Sequence, residues 1–252
     1  MRKIVFITGA TSGFGKATAE KFAAAKSDLI ITGRRENLLL DLKNKLEKEA
    51  GIQVLPLVFD VRDRHTVSSV IASIPATWQQ IDVLVNNAGL ALGKDYFEEA
   101  SLDDWDTMID TNVKGLLYVS RAVLPFMTTR NQGHIINIGS VAAKDVYEKG
   151  NVYCASKAAV ESISKAMRTD LLRHRIKVTA IHPGAAETEF SLVRFKGDEQ
   201  SAAKTYDGYK ALTANDVADV IYYCATLPPH VCINDLVVTC TAQSDAFHTF
   251  KG

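Results

Sequence analysis

The chain has 252 residues, of which 47% are hydrophobic and 23% are charged, so it is long enough to bury a core and too apolar to be disordered. Its 29 lysines and arginines balance its 29 aspartates and glutamates, which gives no reason to expect nucleic acid or a membrane as a partner. No apolar run suits a membrane span or a secretory signal. The four cysteines form no metal or redox motif. We therefore expect a cytoplasmic protein with reduced thiols.

Short apolar runs alternate with helical patterns along the whole chain. The predicted strands are residues 3–8, 28–32, 53–59, 82–85, 134–138, 177–181 and 236–239. The predicted helices are residues 14–25, 36–50, 64–73, 102–129, 152–173 and 213–227. Continuous apolar strands, each followed by a helix, indicate a parallel α/β sheet covered on both faces. No linker or repeat interrupts the pattern, so we predict a single domain over residues 1–252.

One long irregular segment, residues 184–211, lies between a predicted strand and the last predicted helix. A segment of that length in a compact domain is usually functional and is often a lid over a site. The helix that follows begins with Thr213, three residues before Asp216, a spacing that is typical of a capping box.

A glycine-rich turn follows the first predicted strand and opens the first helix. Glycines allow a tight turn and a close approach of the backbone to phosphate, with a helix N-terminus aimed at the negative charge. An ordinary strand-to-helix turn would use glycine as well, but this position favours a dinucleotide site. The candidate cofactor-binding residues in the turn are Gly9, Thr11, Ser12, Gly13, Phe14 and Gly15.

Two arginines, Arg34 and Arg35, end the second predicted strand. NAD sites place an acidic residue here for the ribose hydroxyl, whereas arginine here suits the 2′-phosphate of NADP. The alternative is a solvated helix start, although cations at a helix N-terminus oppose the helix dipole. The pair therefore predicts NADP as the cofactor.

Ser140, Tyr153 and Lys157 form a candidate catalytic set. Tyr153 and Lys157 are four residues apart on one predicted helix, so their side chains can converge. A neighbouring ammonium stabilises phenolate and is expected to lower the pKa of the tyrosine, which makes it a better acid–base catalyst. Ser140 ends a strand, where it can bind the substrate oxygen. Lys157 could instead pair with Glu161 on the helix surface.

The spacing alone is weak evidence, because Tyr206 and Lys210 repeat it within the irregular segment. The full set is different, since it lies downstream of a glycine-rich turn and includes Ser140. With these motifs in place, the chain resembles the classical short-chain dehydrogenase/reductase family from end to end. The matching residues are Gly9, Gly13, Gly15, Asp60, Val61, Asn86, Asn87, Ala88, Gly89, Asn112, Ser140, Tyr153, Lys157, Pro183, Gly184 and Thr188.

The resemblance implies a Rossmann-like, doubly wound parallel sheet of about seven strands with helices on both faces. It implies Tyr153 as general acid/base, Ser140 orienting the carbonyl and Asn112 anchoring a water in the proton relay. Lys157 would also hold the nicotinamide ribose. The implied cofactor contacts are Asp60 and Val61 at the adenine, Asn87 on the adenosine side, and Pro183, Gly184 and Thr188 at the nicotinamide. Ala88 and Gly89, in the same motif as Asn87, are further candidate cofactor-binding residues.

Within that family the chain is similar to the NADP-dependent 3-hydroxy acid dehydrogenases, also called serine 3-dehydrogenases. The matching segments include residues 87–93, 121–125, 134–140 and 188–198. The resemblance implies a small 3-hydroxy acid such as serine, allo-threonine or 3-hydroxypropionate as substrate, and a homotetramer. A carboxylate needs a cationic partner; we predict Arg194 first and Lys144 second, with a solvated arginine as the alternative. The tail at residues 247–250 could pack over the site or against a neighbouring subunit.

Two other functions stay open at this point. A reductase of larger carbonyls, such as a 3-oxoacyl thioester or a ketone, would use the same catalytic set. A non-catalytic NADP-binding sensor would not need it. The histidines are scattered and no metal-binding motif occurs, so no metal site is predicted.

Overall fold

A seven-stranded parallel sheet forms the centre of the computed structural model, which describes residues 2–252. Its strands are β1 Ile4–Ile7, β2 Asp28–Gly33, β3 Val54–Val58, β4 Ile81–Asn86, β5 His134–Ile138, β6 Lys177–Pro183 and, at one edge, Asp235–Val238. That edge strand is β9, because two short strands, β7 Ala186–Glu187 and β8 Leu212–Thr213, precede it and pair with each other. All seven predicted strands are present, which confirms the α/β fold class.

The sheet order is β3-β2-β1-β4-β5-β6-β9. The chain therefore builds outward from β1 in one direction and then crosses to β4 to build in the other. The switch point between β1 and β4 opens a crevice at the carboxyl ends of the strands, where open α/β sheets bind ligands.

Helices cover both faces of the sheet within the described residues. They are α1 Gly13–Ala24, α2 Glu36–Ala50, α3 Arg64–Ala72, α4 Leu102–Ile109, α5 Leu116–Thr128, α6 Asn151–Asp170, α7 Glu189–Arg194, α8 Glu199–Lys204 and α9 Ala214–Thr226. Helix α9 begins with the predicted capping box, since Thr213 and Asp216 bond to each other's backbone N–H. None of these helices is long and apolar enough to cross a bilayer.

Alternate residues of the strands supply two separate cores. In β1, Val5 and Ile7 pack with α1, α2 and α9, whereas Ile4 and Phe6 pack with α3 and α5 on the other face. All four side chains are buried, which explains why the strands read as continuous apolar runs rather than alternating ones.

Two predicted features differ from the structure. The single helix predicted over residues 102–129 is interrupted by a wide π-helical turn, Asp110–Gly115, between α4 and α5. Segment 184–211, predicted as irregular, contains β7, α7 and α8. Both departures lie beside the crevice, and π-turns are frequent at functional sites.

Candidate active site

A cavity of about 970 Å³ lies at the carboxyl ends of the strands. Nearly all the residues predicted for the site line it. They are Gly9, Thr11, Ser12, Gly13, Phe14, Arg34, Arg35, Asp60, Val61, Asn87, Ala88, Gly89, Ser140, Tyr153, Lys157, Pro183, Gly184, Thr188 and Arg194. Gly15 and Asn112 do not line it. The sequence-predicted cofactor and catalytic groups therefore share one cavity.

The glycine-rich turn needs glycine for two different reasons. Gly9 and Gly13 have φ of +65° and +48°, which favour a residue without a Cβ. Gly15 lies behind the cavity wall, where a Cβ would be 2.2 Å from the carbonyl oxygen of Gly9. Its role is therefore close packing of α1 against the turn.

Asn87, at the end of β4, ties the two sides of the switch point together. Its Nδ2 donates to the carbonyl oxygens of Thr8 at 2.9 Å and Gly9 at 3.1 Å. The hydroxyl of Thr8 accepts from the backbone N–H groups of Asn87 and Ala88, each at 2.9 Å. These bonds fix the turn after β1 against the residues that follow β4.

Arg34 and Arg35 lie where β2 meets α2, at the rim of the cavity. Arg35 Nη2 donates to Thr11 Oγ1 at 2.9 Å, and its Nη1 is 3.4 Å from Glu189 Oε2. Arg34 Nη1 is 3.8 Å from Asp60 Oδ2. Both guanidinium groups are about half exposed or more. The donor set beside the glycine-rich turn fits a nucleotide that carries an additional phosphate.

Asp60 is held by Arg62, whose Nη2 is 2.7 Å from Asp60 Oδ2 and whose Nε contacts both carboxylate oxygens. Burial alone would raise the pKa of Asp60, but these bonds keep it below its usual range, so the carboxylate is charged. Val61 packs against the π-helical turn, since a Cβ on Gly115 would lie 2.7 Å from Val61 Cγ2.

Tyr153 and Lys157 lie on α6 and are 8% and 6% exposed. Lys157 Nζ donates to the carbonyl oxygen of Ile138 at 2.9 Å, and burial lowers its pKa to about 8. The alternative pairing of Lys157 with Glu161 is wrong, because Glu161 pairs with Lys144 and Lys165 instead.

The predicted lowering of the Tyr153 pKa is also wrong in this structure. Burial raises that pKa above its usual value, and the neighbouring Tyr147 raises it further. Ser140 and Arg194 lower it by smaller amounts. The phenol is therefore held in its protonated form.

Ser140 follows β5 and begins a 3₁₀ turn, Val141–Ala143. Its Oγ accepts from the backbone N–H of Ala142 at 3.1 Å. This bond leaves the hydroxyl hydrogen available to donate, and Ser140 and Tyr153 both line the cavity.

Asn112 lies in the π-helical turn and is 2% exposed. Its Nδ2 donates to the carbonyl oxygen of Leu90 at 2.8 Å and to Ser156 Oγ at 3.0 Å, and its Oδ1 accepts from Leu90 N–H at 2.8 Å. Ser156 Oγ in turn donates to the carbonyl oxygen of Tyr153. The amide therefore joins the turn, the segment after β4 and α6 just behind the cavity.

Arg194, at the end of α7, reaches across the cavity to Tyr153. Its Cζ is 5.6 Å from the centre of the Tyr153 ring. Nε donates to the carbonyl oxygen of Gly93 at 3.2 Å and Nη1 donates to Tyr147 Oη at 3.0 Å. Within the described residues, Nη2 has no hydrogen-bond partner. The prediction of Lys144 as the second choice for the carboxylate is wrong. Lys144 pairs with Glu161 at 3.0 Å and with Asp235 at 2.9 Å, and it does not line the cavity.

Comparison with known proteins gives the family. The sequence profile of the short chain dehydrogenase family matches residues 3–198. The chain belongs to the short-chain dehydrogenase family. The resemblance inferred from the motifs is thereby confirmed.

Several relatives of this short-chain dehydrogenase match over nearly their whole length. The NADP-dependent 3-hydroxy acid dehydrogenase YdfG of Salmonella typhi is 51% identical, covering 96% of this chain and 97% of that protein. An NADP-dependent 3-hydroxy acid dehydrogenase of Schizosaccharomyces pombe is 42% identical, covering 99% and 96%. The closed form of a serine dehydrogenase complexed with NADP+ is 49% identical with a TM-score of 0.91, covering 96% and 97%.

Sequence reasoning missed several residues that line the cavity of this short-chain dehydrogenase. Tyr147 and Phe190 flank Tyr153, with the Phe190 ring centre 5.7 Å away. Lys94 follows Gly93, and burial and the charge of Arg194 lower its pKa. No spacing pattern marks these residues, because each reaches the cavity from a different segment of the chain. In the tail at residues 247–250, Phe247 and Thr249 line the cavity.

Proposed function

We propose that this protein is an NADP-dependent oxidoreductase that interconverts a small 3-hydroxy acid, such as serine, allo-threonine or 3-hydroxypropionate, and its 3-oxo form. The observation that carries the proposal is the position of Arg194, whose guanidinium lies against Tyr153 in the cavity that the glycine-rich turn and the arginine pair also line. The relatives named for this activity support it.

NADP would be held along the cavity by residues from both sides of the switch point. The glycine-rich turn and the N-terminus of α1 would bind the pyrophosphate, and Arg34 and Arg35 would bind the 2′-phosphate. Asp60, Val61, Asn87, Ala88 and Gly89 would hold the adenosine side. Pro183, Gly184, Thr188 and Lys157 would hold the nicotinamide end. When bound, NADP supplies the hydride acceptor, or the hydride donor in the reverse direction.

The catalytic set moves a proton at the substrate oxygen. Ser140 donates a hydrogen bond to that oxygen and orients it. Tyr153 gives its proton to the oxygen in reduction, which leaves a phenolate, and the phenolate form takes the proton in oxidation. Lys157, with a pKa lowered to about 8 by burial, keeps a cation beside the phenol when the phenolate forms. Asn112 stabilises the turn behind the set and anchors a water for the proton relay.

Arg194 binds the substrate carboxylate in this proposal. A carboxylate is costly to bury unless it is paired, and Arg194 Nη2 is available while Nε and Nη1 hold the guanidinium in place. Segment 184–211 acts as a lid that carries Arg194 over the site of a single-domain enzyme. We also propose a cytoplasmic homotetramer, with the small hydroxy acid as its only required partner besides NADP.

A substrate panel tests the proposal. Serine, allo-threonine, 3-hydroxypropionate, acetoacetyl thioester and an uncharged secondary alcohol are assayed with NADP or NADPH, and again with NAD or NADH. We expect kcat/KM to be highest for 3-hydroxy acids with NADP. A higher kcat/KM for the thioester would indicate a reductase of larger carbonyls instead. If no substrate were turned over, the remaining function would be that of a non-catalytic NADP-binding sensor.

The same panel with Arg194→Ala isolates the carboxylate contact. We expect kcat/KM for 3-hydroxy acids to fall about 10- to 100-fold, the range for a charged hydrogen bond, and for the uncharged alcohol to change only a few-fold. Equal losses for both substrates would remove Arg194 from substrate binding without affecting the proposed chemistry.

A further inference from the structure

His182 contacts the backbone at the strand end that leads to Ser140. It is fully buried near the end of β6, which pairs with β5. Its Nδ1 lies 3.2 Å from the carbonyl oxygen of Ser140. A Cβ on Gly139 would lie 2.4 Å from the same Nδ1. Glycine at position 139 therefore lets the imidazole ring sit directly against the main chain.

The other side of the ring contacts a carboxylate that belongs to a series of ion pairs. His182 Nε2 is 3.1 Å from Asp235 Oδ2 at the start of β9, and Asp235 Oδ1 is 2.9 Å from Lys144 Nζ. Lys144 follows the 3₁₀ turn that Ser140 begins, and it also pairs with Glu161 on α6 at 3.0 Å. These contacts connect β6 and β9 to both elements that carry the proposed catalytic groups.

We infer that His182 is a positioning residue that fixes the main chain at Ser140 and thereby aims the Ser140 hydroxyl at the substrate oxygen. The inference rests on the proposed function, because it requires Ser140 to bind that oxygen. The direction of Ser140 Oγ follows the backbone, since Oγ bonds to Ala142 N–H two residues later. A rotation of the Ser140 peptide would displace the hydroxyl, and misplacement of about 1 Å can cost about 100-fold in rate.

The ring faces two acceptors, the carbonyl oxygen of Ser140 and the carboxylate of Asp235. A neutral imidazole has one N–H and can donate to only one of them at a time. This makes the substitutions informative. His182→Asn places an amide close to the position of Nδ1, where it can donate to Ser140. His182→Gln extends its amide toward Asp235 instead, and His182→Leu fills the space without a hydrogen bond.

A double-mutant cycle with Ser140→Ala tests the inference. We expect His182→Leu to lower kcat about tenfold, the upper range for one hydrogen bond, with the Kd for NADPH unchanged. His182→Asn should recover most of that loss. In the Ser140→Ala background, His182→Leu should change kcat less than about twofold, because the two residues act as one unit. If the leucine variant does not fold, His182→Gln replaces it in the cycle.

His134→Leu is the matched control, because His134 is also a buried strand histidine, but its Nε2 lies 2.7 Å from Thr179 Oγ1 and neither ring nitrogen contacts Ser140. It should lower the melting temperature and leave kcat unchanged. The inference would be overturned if His182→Leu lowered kcat by the same factor in the unmodified and the Ser140→Ala backgrounds, or if His182→Asn recovered no activity. Either result would leave the proposed function standing. An unchanged kcat in Ser140→Ala would overturn both the inference and the proposed role of Ser140.

Discussion

At the scale of single residues, burial acts in opposite directions on the two central groups of the site. It raises the pKa of Tyr153 and lowers the pKa of Lys157 to about 8, because it disfavours phenolate and ammonium alike. Tyr153 is thus held as an acid and Lys157 is poised near neutral pH. This arrangement suits proton donation to a substrate oxygen.

Replacing Tyr153 with phenylalanine should therefore remove catalysis and spare binding. We expect kcat to fall about 1,000-fold or more, within the range of general acid–base catalysis, while the Kd for NADPH changes less than about twofold. Steady-state kinetics and fluorescence titration measure the two quantities. Tyr147→Phe is the control, since Tyr147 is a neighbouring tyrosine of the cavity that contacts Arg194; it should cost only a few-fold. Turnover by the Tyr153 variant close to that of the unmodified protein would refute the mechanism.

The lowered pKa of Lys157 predicts how the free energy of unfolding depends on pH. Its pKa is about 8 when folded and near 10.4 when unfolded, so between these values the unfolded chain binds more protons and stability from this group rises with pH. This contribution of Lys157 to stability decreases as pH falls from about 10.4 and is lost below about 8. The free energy of unfolding of Lys157→Met, relative to that of the unmodified protein, should therefore decrease by about 3 kcal/mol between pH 7 and pH 10.5. Urea unfolding at several pH values measures this difference, and a flat difference would contradict it.

At the scale of elements, Tyr206 connects three parts of segment 184–211. Tyr206 Oη donates to the carbonyl oxygen of Ala186 at 2.7 Å and lies 2.6 Å from Ser191 Oγ on α7. These bonds connect the part of the segment after α8 to β7 and α7, the helix that carries Arg194. Tyr206, which repeats the catalytic spacing together with Lys210, thus has structural contacts within the segment.

Tyr206→Phe should loosen this segment without unfolding the protein. We expect KM for the hydroxy acid to rise several-fold, because Arg194 loses its fixed position, and the melting temperature to fall by only a few degrees. Tyr209→Phe is the matched control, since Tyr209 Oη bonds only to the carbonyl oxygen of Thr205 among the described residues. An equal rise in KM for both variants would mean that Tyr206 has no special role.

The sequence predicted most elements and missed two details of them. The strands and α1–α3 followed from apolar periodicity and glycine or arginine at their ends, which are local signals. The π-helical turn between α4 and α5 has no such signal, because its extra residue is fitted by packing against Val61 and the segment after β4. The short helices α7 and α8 were missed because segment 184–211 lacks a long apolar stripe.

At the scale of the whole molecule, the charge is balanced overall and concentrated locally. The net formal charge is zero, yet six cationic residues line one cavity with only three acidic ones: Arg34, Arg35, Lys94, Lys149, Lys157 and Arg194 against Asp60, Glu148 and Glu189. A small anion bound there is attracted by nearby cations rather than by a long-range field.

The oligomeric state is also a prediction about the whole molecule. Phe97, Leu102, Val146 and Leu172 are each about two-thirds exposed or more, and burying such side chains between subunits would remove apolar surface from water. We expect a homotetramer with a mass of about 110 kDa, four chains of 27.5 kDa, measured by light scattering after gel filtration. A mass of one chain at micromolar concentration would refute the assembly.

The sequence by itself determined the alternation of strands and helices, the glycine-rich turn and the spacing of Tyr153 and Lys157, because these features depend on residues close together in the chain. Only the tertiary structure decided that Arg194 donates hydrogen bonds to Gly93, 101 positions away, and to Tyr147. It also decided that Lys144 turns to Asp235 and that the pKa of Tyr153 is raised rather than lowered. Contacts and burial are properties of the packed molecule, and no local pattern in the chain records them.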